Sequence, residues 1–170
     1  MLKLTAIMLL GAGFVCGGRY LAASYINQTE FMRDVLLMIS VIRTRLRYDC
    51  LPVSDLLRVL CGTDKLKKTD FLFRCLEGVN SGEPFPEAWR NSVESDSRLC
   101  RLLGNRKDDF IRLGAEIGAT DVEGQMSCCE YYEQIFEKEL TLREENEKKY
   151  KKLYPLLGLM LGISAVIIIV

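Results

Sequence analysis

The chain has 170 residues, with 23 basic and 23 acidic side chains, a formal net charge of zero and no histidine. A neutral balance argues against nucleic-acid binding, which needs a basic stripe to neutralise phosphates. The missing histidine removes the commonest general base and metal ligand, and with it most hydrolase, phosphotransfer and zinc mechanisms. An apolar fraction of 49% argues against disorder.

The apolar residues gather at the two ends. Residues 4–18 carry no charge and lie between Lys3 and Arg19, with apolar character continuing to Ile26. Residues 153–170 are also uncharged and close with Ile167-Ile168-Ile169-Val170. Eighteen helical residues rise about 27 Å, close to the ~30 Å hydrocarbon core of a bilayer. Three parts follow: an N-terminal membrane anchor over 1–26, a cytoplasmic helical domain over 27–150, and a C-terminal transmembrane helix over 151–170. A cleaved signal peptide is the rival for the first segment, but only Ala22 and Ala23 offer weak cleavage positions. A lipoprotein reading of Cys16 fails because Val15 is too large for the preceding position. Lys148, Lys149, Lys151 and Lys152 crowd the inner end of the second segment, so the positive-inside rule keeps the domain cytoplasmic.

Between the anchors the pattern is helical throughout. Phe31, Val35, Ile39, Ile42 and Leu46 step by four, four, three and four, one face of an amphipathic helix. Pro52 opens a short helix holding Leu56, Leu57, Val59 and Leu60 that Gly62 stops. Thr63 or Asp64 is expected to cap a third helix carrying Leu66, Phe71, Leu72, Phe73, Cys75 and Leu76, ending between Gly78 and Gly82. Pro84 and Pro86 open a fourth helix, with Ala88, Trp89 and Val93. A fifth is expected to run unbroken from about Ser97 through Leu103, Phe110 and Leu113 to Gly118.

The last helix starts at a capping box, Thr120 followed three residues later by Glu123, with Asp121 adding negative charge at the positive helix end. Tyr131, Tyr132, Ile135, Phe136, Leu140 and Leu142 supply its packing face, residues 143–149 are expected to stand in solvent, and Pro155 marks a kink. No stretch alternates with period two over strand length. The fold class is all-α: an antiparallel bundle of about six helices, flanked by an N-terminal and a C-terminal transmembrane helix.

Seven cysteines, at 16, 50, 61, 75, 100, 128 and 129, form an odd set without CxxC spacing, unlike a disulfide framework or a zinc site. Cys61 and Cys75 fit small core positions. The vicinal Cys128 and Cys129 are the residues a thiol oxidoreductase would use, and Asp108 with Asp109 those of a carboxylate hydrolase. Adjacent side chains on a helix point apart, and neither set has a base beside it. No catalytic, cofactor-binding or metal-binding residue is expected, and no cofactor. Charge is segregated: residues 31–74 carry nine basic and five acidic side chains, residues 121–147 nine acidic and two basic. Opposed faces of one bundle would complement each other; a charged docking surface is the alternative.

In this order the chain resembles the stage III sporulation protein AB family over essentially its full length. The resemblance begins at Met1-Leu2-Lys3-Leu4 and the arginines that follow, continues through Tyr48 to Pro52 and Leu56, and then Glu87-Ala88-Trp89. It is most specific at Leu113-Gly114-x-x-Ile117-Gly118-x-Thr120-Asp121-x-x-x-Gln125, similar to the family's helix–turn–helix signature. Lys152-Leu153, Leu156, Gly158, Leu159 and Gly162 complete it; Tyr154-Pro155 is a departure.

The resemblance implies a small cytoplasmic domain similar to the inner-membrane platform protein of type II secretion and type IV pilus systems. It implies a non-enzymatic adaptor in the mother-cell membrane facing the forespore. Its partners would be the secretion-type ATPase (stage III sporulation protein AA) and other channel membrane components, with self-association left open. It makes Trp89, Gly114, Gly118, Thr120, Asp121 and Gln125 the family-motif residues, for structure or partner contact. Beside the resemblance, Gly114 suits close helix approach, Gly118 the left-handed C′ position, and Thr120 and Asp121 a helix start. A membrane scaffold of the same shape outside sporulation is the other reading.

Overall fold

The computed structural model describes the backbone of residues 2–49, 51–67 and 69–169, with many side chains of 2–22 and 159–169 outside the description. All described regular structure is helical. The elements are α1 (Leu2–Tyr48), α2 (Val53–Gly62), α3 (Asp70–Asn80), α4 (Phe85–Glu94), α5 (Ser97–Leu103), a 3-10 turn (Gly104–Arg106), α6 (Lys107–Glu116) and α7 (Val122–Ile169). The first and last bundle helices are continuous with the terminal apolar segments. No break falls at residues 26–27 or 150–151, and α7 runs through Pro155.

Among the described residues no helix is long and apolar enough to cross a membrane. The structure therefore supports the all-α class without the flanking transmembrane helices; the runs at 4–18 and 153–170 lie largely outside the described side chains.

The chain divides into two compact units, Phe31–Lys138 and the paired termini Met1–Glu30 with Glu139–Val170. In the first unit the apolar face read at positions 31, 35, 39, 42 and 46 is buried along its whole length, joined by Met32 and Met38. Helix α3 packs on α2 and α4, and α4 packs on α6. Trp89 lies at the centre with no exposed surface. Its ring is 5.4 Å from that of Phe71 and 5.1 Å from that of Phe110, which in turn meets Phe136 of α7 at 6.2 Å. Such offset and edge-on contacts add to the area an aromatic core removes from water.

In the paired termini, Arg143 donates from Nη1 to the Gln28 carbonyl at 3.3 Å and from Nε to Glu139 at 2.8 Å. Its side chain is only 12% exposed, so the stretch from 143 does not simply stand in solvent as its composition suggested. Tyr25 stacks on Tyr150 at 4.8 Å and on Tyr154 at 5.9 Å, so the two segments run antiparallel.

Two helices differ from their expected bounds. Thr63 does not start α3: its hydroxyl donates back to the Val59 carbonyl at 3.0 Å and its N–H to Leu60, which closes α2 instead. Asp64 pairs with Lys67 across a turn that buries Leu66, and α3 begins at Asp70. The expected fifth helix is cut at Gly104, where φ is +56° and ψ −125°. A Cβ is strained there, so the chain turns and restarts as α6, with Asp96 capping α5 through bonds from the N–H groups of Arg98 and Leu99.

Gly104→Ala should therefore lower stability by about 1–3 kcal/mol. Gly62→Ala, at the end of α2 with nothing near its added Cβ, should be neutral or slightly stabilising. Chemical unfolding of the solubilised full chain, followed by Trp89 fluorescence, compares the two.

Candidate functional site

The residues singled out in the sequence converge on the α6–α7 corner and on α4 behind it. Helix α6 ends at Ile117 in extended conformation, and Gly118 follows with φ +81°. That is the left-handed position the sequence assigned to it, since only glycine adopts it without a Cβ penalty. The Gly118 N–H has no helical acceptor and donates to Gln125 Oε1 at 3.0 Å, while Gln125 Nε2 donates to the Thr120 carbonyl at 2.6 Å. One amide side chain, 8% exposed, thus satisfies a donor and an acceptor of the turn that precedes its own helix. A polar group left without a partner would be costly here, and none of the described buried side-chain polar atoms lacks one.

The cap of α7 sits one residue later than its sequence signature. Asp121 Oδ1 accepts from the Gly124 N–H at 2.9 Å, whereas the Thr120 hydroxyl donates to the Asp121 carbonyl at 3.4 Å and caps nothing. Asp121 is the better acceptor because its charge also meets the positive end of the helix. Thr120 and Glu123, the two ends of the expected box, are both exposed.

Gly114 is explained by its neighbour. A Cβ built on it would fall within the indole ring of Trp89, against Cδ1, Cγ and Nε1. The ring packs against the α6 backbone at Gly114 and donates from Nε1 to the Phe110 carbonyl at 3.0 Å. Trp89 is thus a core residue that fixes α4 to α6, and the motif from Leu113 to Gln125 is the hinge of one corner.

The thiols sit in surroundings that disfavour the thiolate. Cys129 is buried and Cys128 half-buried. Burial first, and then Glu133 and Glu130, push the Cys129 thiol up to about 11 against the opposing pull of Arg43. Burial and a hydrogen bond to Glu116 push Cys128 upward as well. Burial raises Cys75 to about 12. A thiolate nucleophile needs a shift in the other direction. The sign for stability is that of a raised pKa: the neutral thiols support the fold fully below pH 9 and that support is lost as pH rises toward 11–12. Asp109 is held by Arg106 at 3.3 Å while Asp108 stays exposed. No group of three or more metal-ligating side chains gathers among the described residues.

The segregated charge is partly internal. Arg43 of α1 pairs with Glu133 of α7 at 2.7 Å and approaches Glu130 at 3.9 Å. The sequence did not distinguish two side chains that matter at the surface. Tyr131, read there as a packing residue, is 60% exposed beside Glu130, and Phe73 of α3 also faces outward.

The family model for stage III sporulation protein AB (spore_III_AB) matches residues 3–170. The chain belongs to this family. Its role is accordingly a sporulation-related one. No curated protein and no solved structure matches the chain.

Gly114→Ala should destabilise by about 1–3 kcal/mol or more, because indole and Cβ cannot share the space. Gln125→Leu should cost about 1–3 kcal/mol through the orphaned Gly118 N–H and Thr120 carbonyl. Asp121→Ala should cost about 1 kcal/mol, and Thr120→Ala less than about 0.5 kcal/mol. The same unfolding measurement ranks all four; a Thr120 effect exceeding that of Asp121 would reverse the cap assignment.

Proposed function

We propose that the protein is a non-enzymatic platform of the sporulation secretion-like channel, anchored in the mother-cell membrane, with its helical domain on the cytoplasmic side. There it couples a secretion-type ATPase, stage III sporulation protein AA, to the membrane complex. The observation that carries the reading is Tyr131 of α7, a large aromatic ring left 60% exposed. A tyrosine so placed offers contact area at low entropic cost, and the acidic balance of residues 121–147 suits a basic partner. The anchoring part rests on the uncharged runs at 4–18 and 153–170, and the orientation on Lys148, Lys149, Lys151 and Lys152 before the second run, which the positive-inside rule keeps with the domain on the cytoplasmic side; Lys3 against Arg19 makes the first run the weaker guide.

The full chain, solubilised in detergent, should co-purify with the ATPase. Tyr131→Ala should weaken that association at least tenfold while the Trp89 unfolding profile stays within about 1 kcal/mol of the parent. Cys128→Ala with Cys129→Ala should leave sporulation intact. Loss of spores through the alanine pair, with the protein folded and present, would replace the platform by thiol chemistry; undiminished recovery of the ATPase with the Tyr131 variant would move the docking surface elsewhere.

A further inference from the structure

The paired termini hold a second arrangement that packing alone does not explain. Lys148, Lys149, Lys151 and Lys152 all have exposed side chains. At about 100° per residue they fan over roughly 160° of α7, while Tyr150 and Tyr154 fall on the opposite side. That opposite side is where Tyr25 of α1 stacks. The tyrosine stack therefore turns the lysines outward. Lys149 lies 5.5 Å from the Tyr150 ring centroid and Lys151 leans toward Glu147 at 3.9 Å.

Along the axis the chemistry is sorted in three tiers. Glu144, Glu145 and Glu147 come first and the four lysines next. Leu153, Leu156, Leu157 and Met160 follow, all exposed, the last at 59%. The change from ammonium groups to exposed hydrocarbon takes about two turns of helix, or ~12 Å. An apolar set of that size left in water is unfavourable. Cations directly beside it, with carboxylates beyond them on the far side, describe the cross-section of a charged bilayer surface.

We propose that residues 148–152 form a binding collar for anionic lipid headgroups, with the tyrosine stack at the same level and Leu153 to Met160 in the acyl layer. The proposal rests on the anchoring just described and adds to it a lipid class and a depth. Amphipathic tyrosine rings settle at the headgroup level, and lysines there are attracted to anionic headgroups. The acidic tier, held a further turn from the hydrocarbon, escapes the repulsion that would oppose insertion. The fit is to lipid phosphate in a surface, since the lysines diverge and do not converge on one free ion.

The test uses the full chain reconstituted into vesicles of phosphatidylcholine alone, or of equal parts phosphatidylcholine and phosphatidylglycerol. Spin-labelled lipids of each kind report which headgroup the protein retains. Phosphatidylglycerol should be enriched roughly threefold or more around the protein. Joint replacement Lys148→Gln, Lys149→Gln, Lys151→Gln and Lys152→Gln should bring the ratio near parity, and the four Lys→Arg changes should preserve it. Inorganic phosphate added at constant ionic strength should not alter the ratio; erasure of the preference would identify a phosphate site and overturn the collar. Parity for the parent chain inserted in both vesicles would overturn the collar and leave anchoring intact. Failure to insert in either vesicle would overturn anchoring, and the collar with it.

Discussion

The contact between the Trp89 ring and the backbone of α6 is the constraint from which the bundle is organised. An indole can lie on a helix backbone only where the residue beneath has no side chain, and Gly114 provides that place. The ring's N–H then reaches the Phe110 carbonyl, which fixes its orientation as well as its depth. Phe71 meets the ring edge-on from α3, and Phe110 passes the contact on to Phe136 of α7. Four helices are thus referenced to one side chain. A buried tryptophan removed outright would cost about 3–5 kcal/mol, a large part of a small domain's stability.

The apolar stripe of α1 and the short helices opened by Pro52 and Pro84 were legible because their determinants are local: spacing of buried residues, a fixed φ, a stop at glycine. The failures have a common physical origin. Gly104 lies in a stretch whose apolar spacing continues on both sides, and periodicity does not register a single left-handed residue. Thr120 and Asp121 both qualify as caps, and the choice depends on where Gln125 draws the preceding turn. Thr63 could close one helix or open the next, and the burial of Leu66 in a turn decided it. Each required knowledge of a partner several residues away.

For the site, the family resemblance grouped Trp89, Gly114, Gly118, Thr120, Asp121 and Gln125 but not the bonds among them, in which the Thr120 side chain takes no capping part. Tyr131 was grouped with Tyr132 although helical spacing separates them: Gln125, Cys129, Tyr132 and Phe136 step by four, three and four along the buried face, and Tyr131 falls about 100° away from Tyr132. The reading of Arg143 erred the other way: its charge suggested solvent, yet its guanidinium is occupied by Glu139 and the Gln28 carbonyl. Opposite charge on 31–74 and 121–147 was visible as a sum, whereas the pair that uses it, Arg43 with Glu133, is a matter of geometry.

The α6–α7 corner closes through bonds that span only seven residues or fewer, from Gly118 to Gln125 and from Asp121 to Gly124. The pairing of Arg43 with Glu133 instead joins residues ninety positions apart. Loop closure costs more as the enclosed chain lengthens, so local corners form readily and distant pairs wait. During synthesis Arg43 on α1 emerges early and Glu133 on α7 late. For that interval Arg43 stands without Glu133, so the pair that ties α1 to α7 closes only after the helices between them have been made.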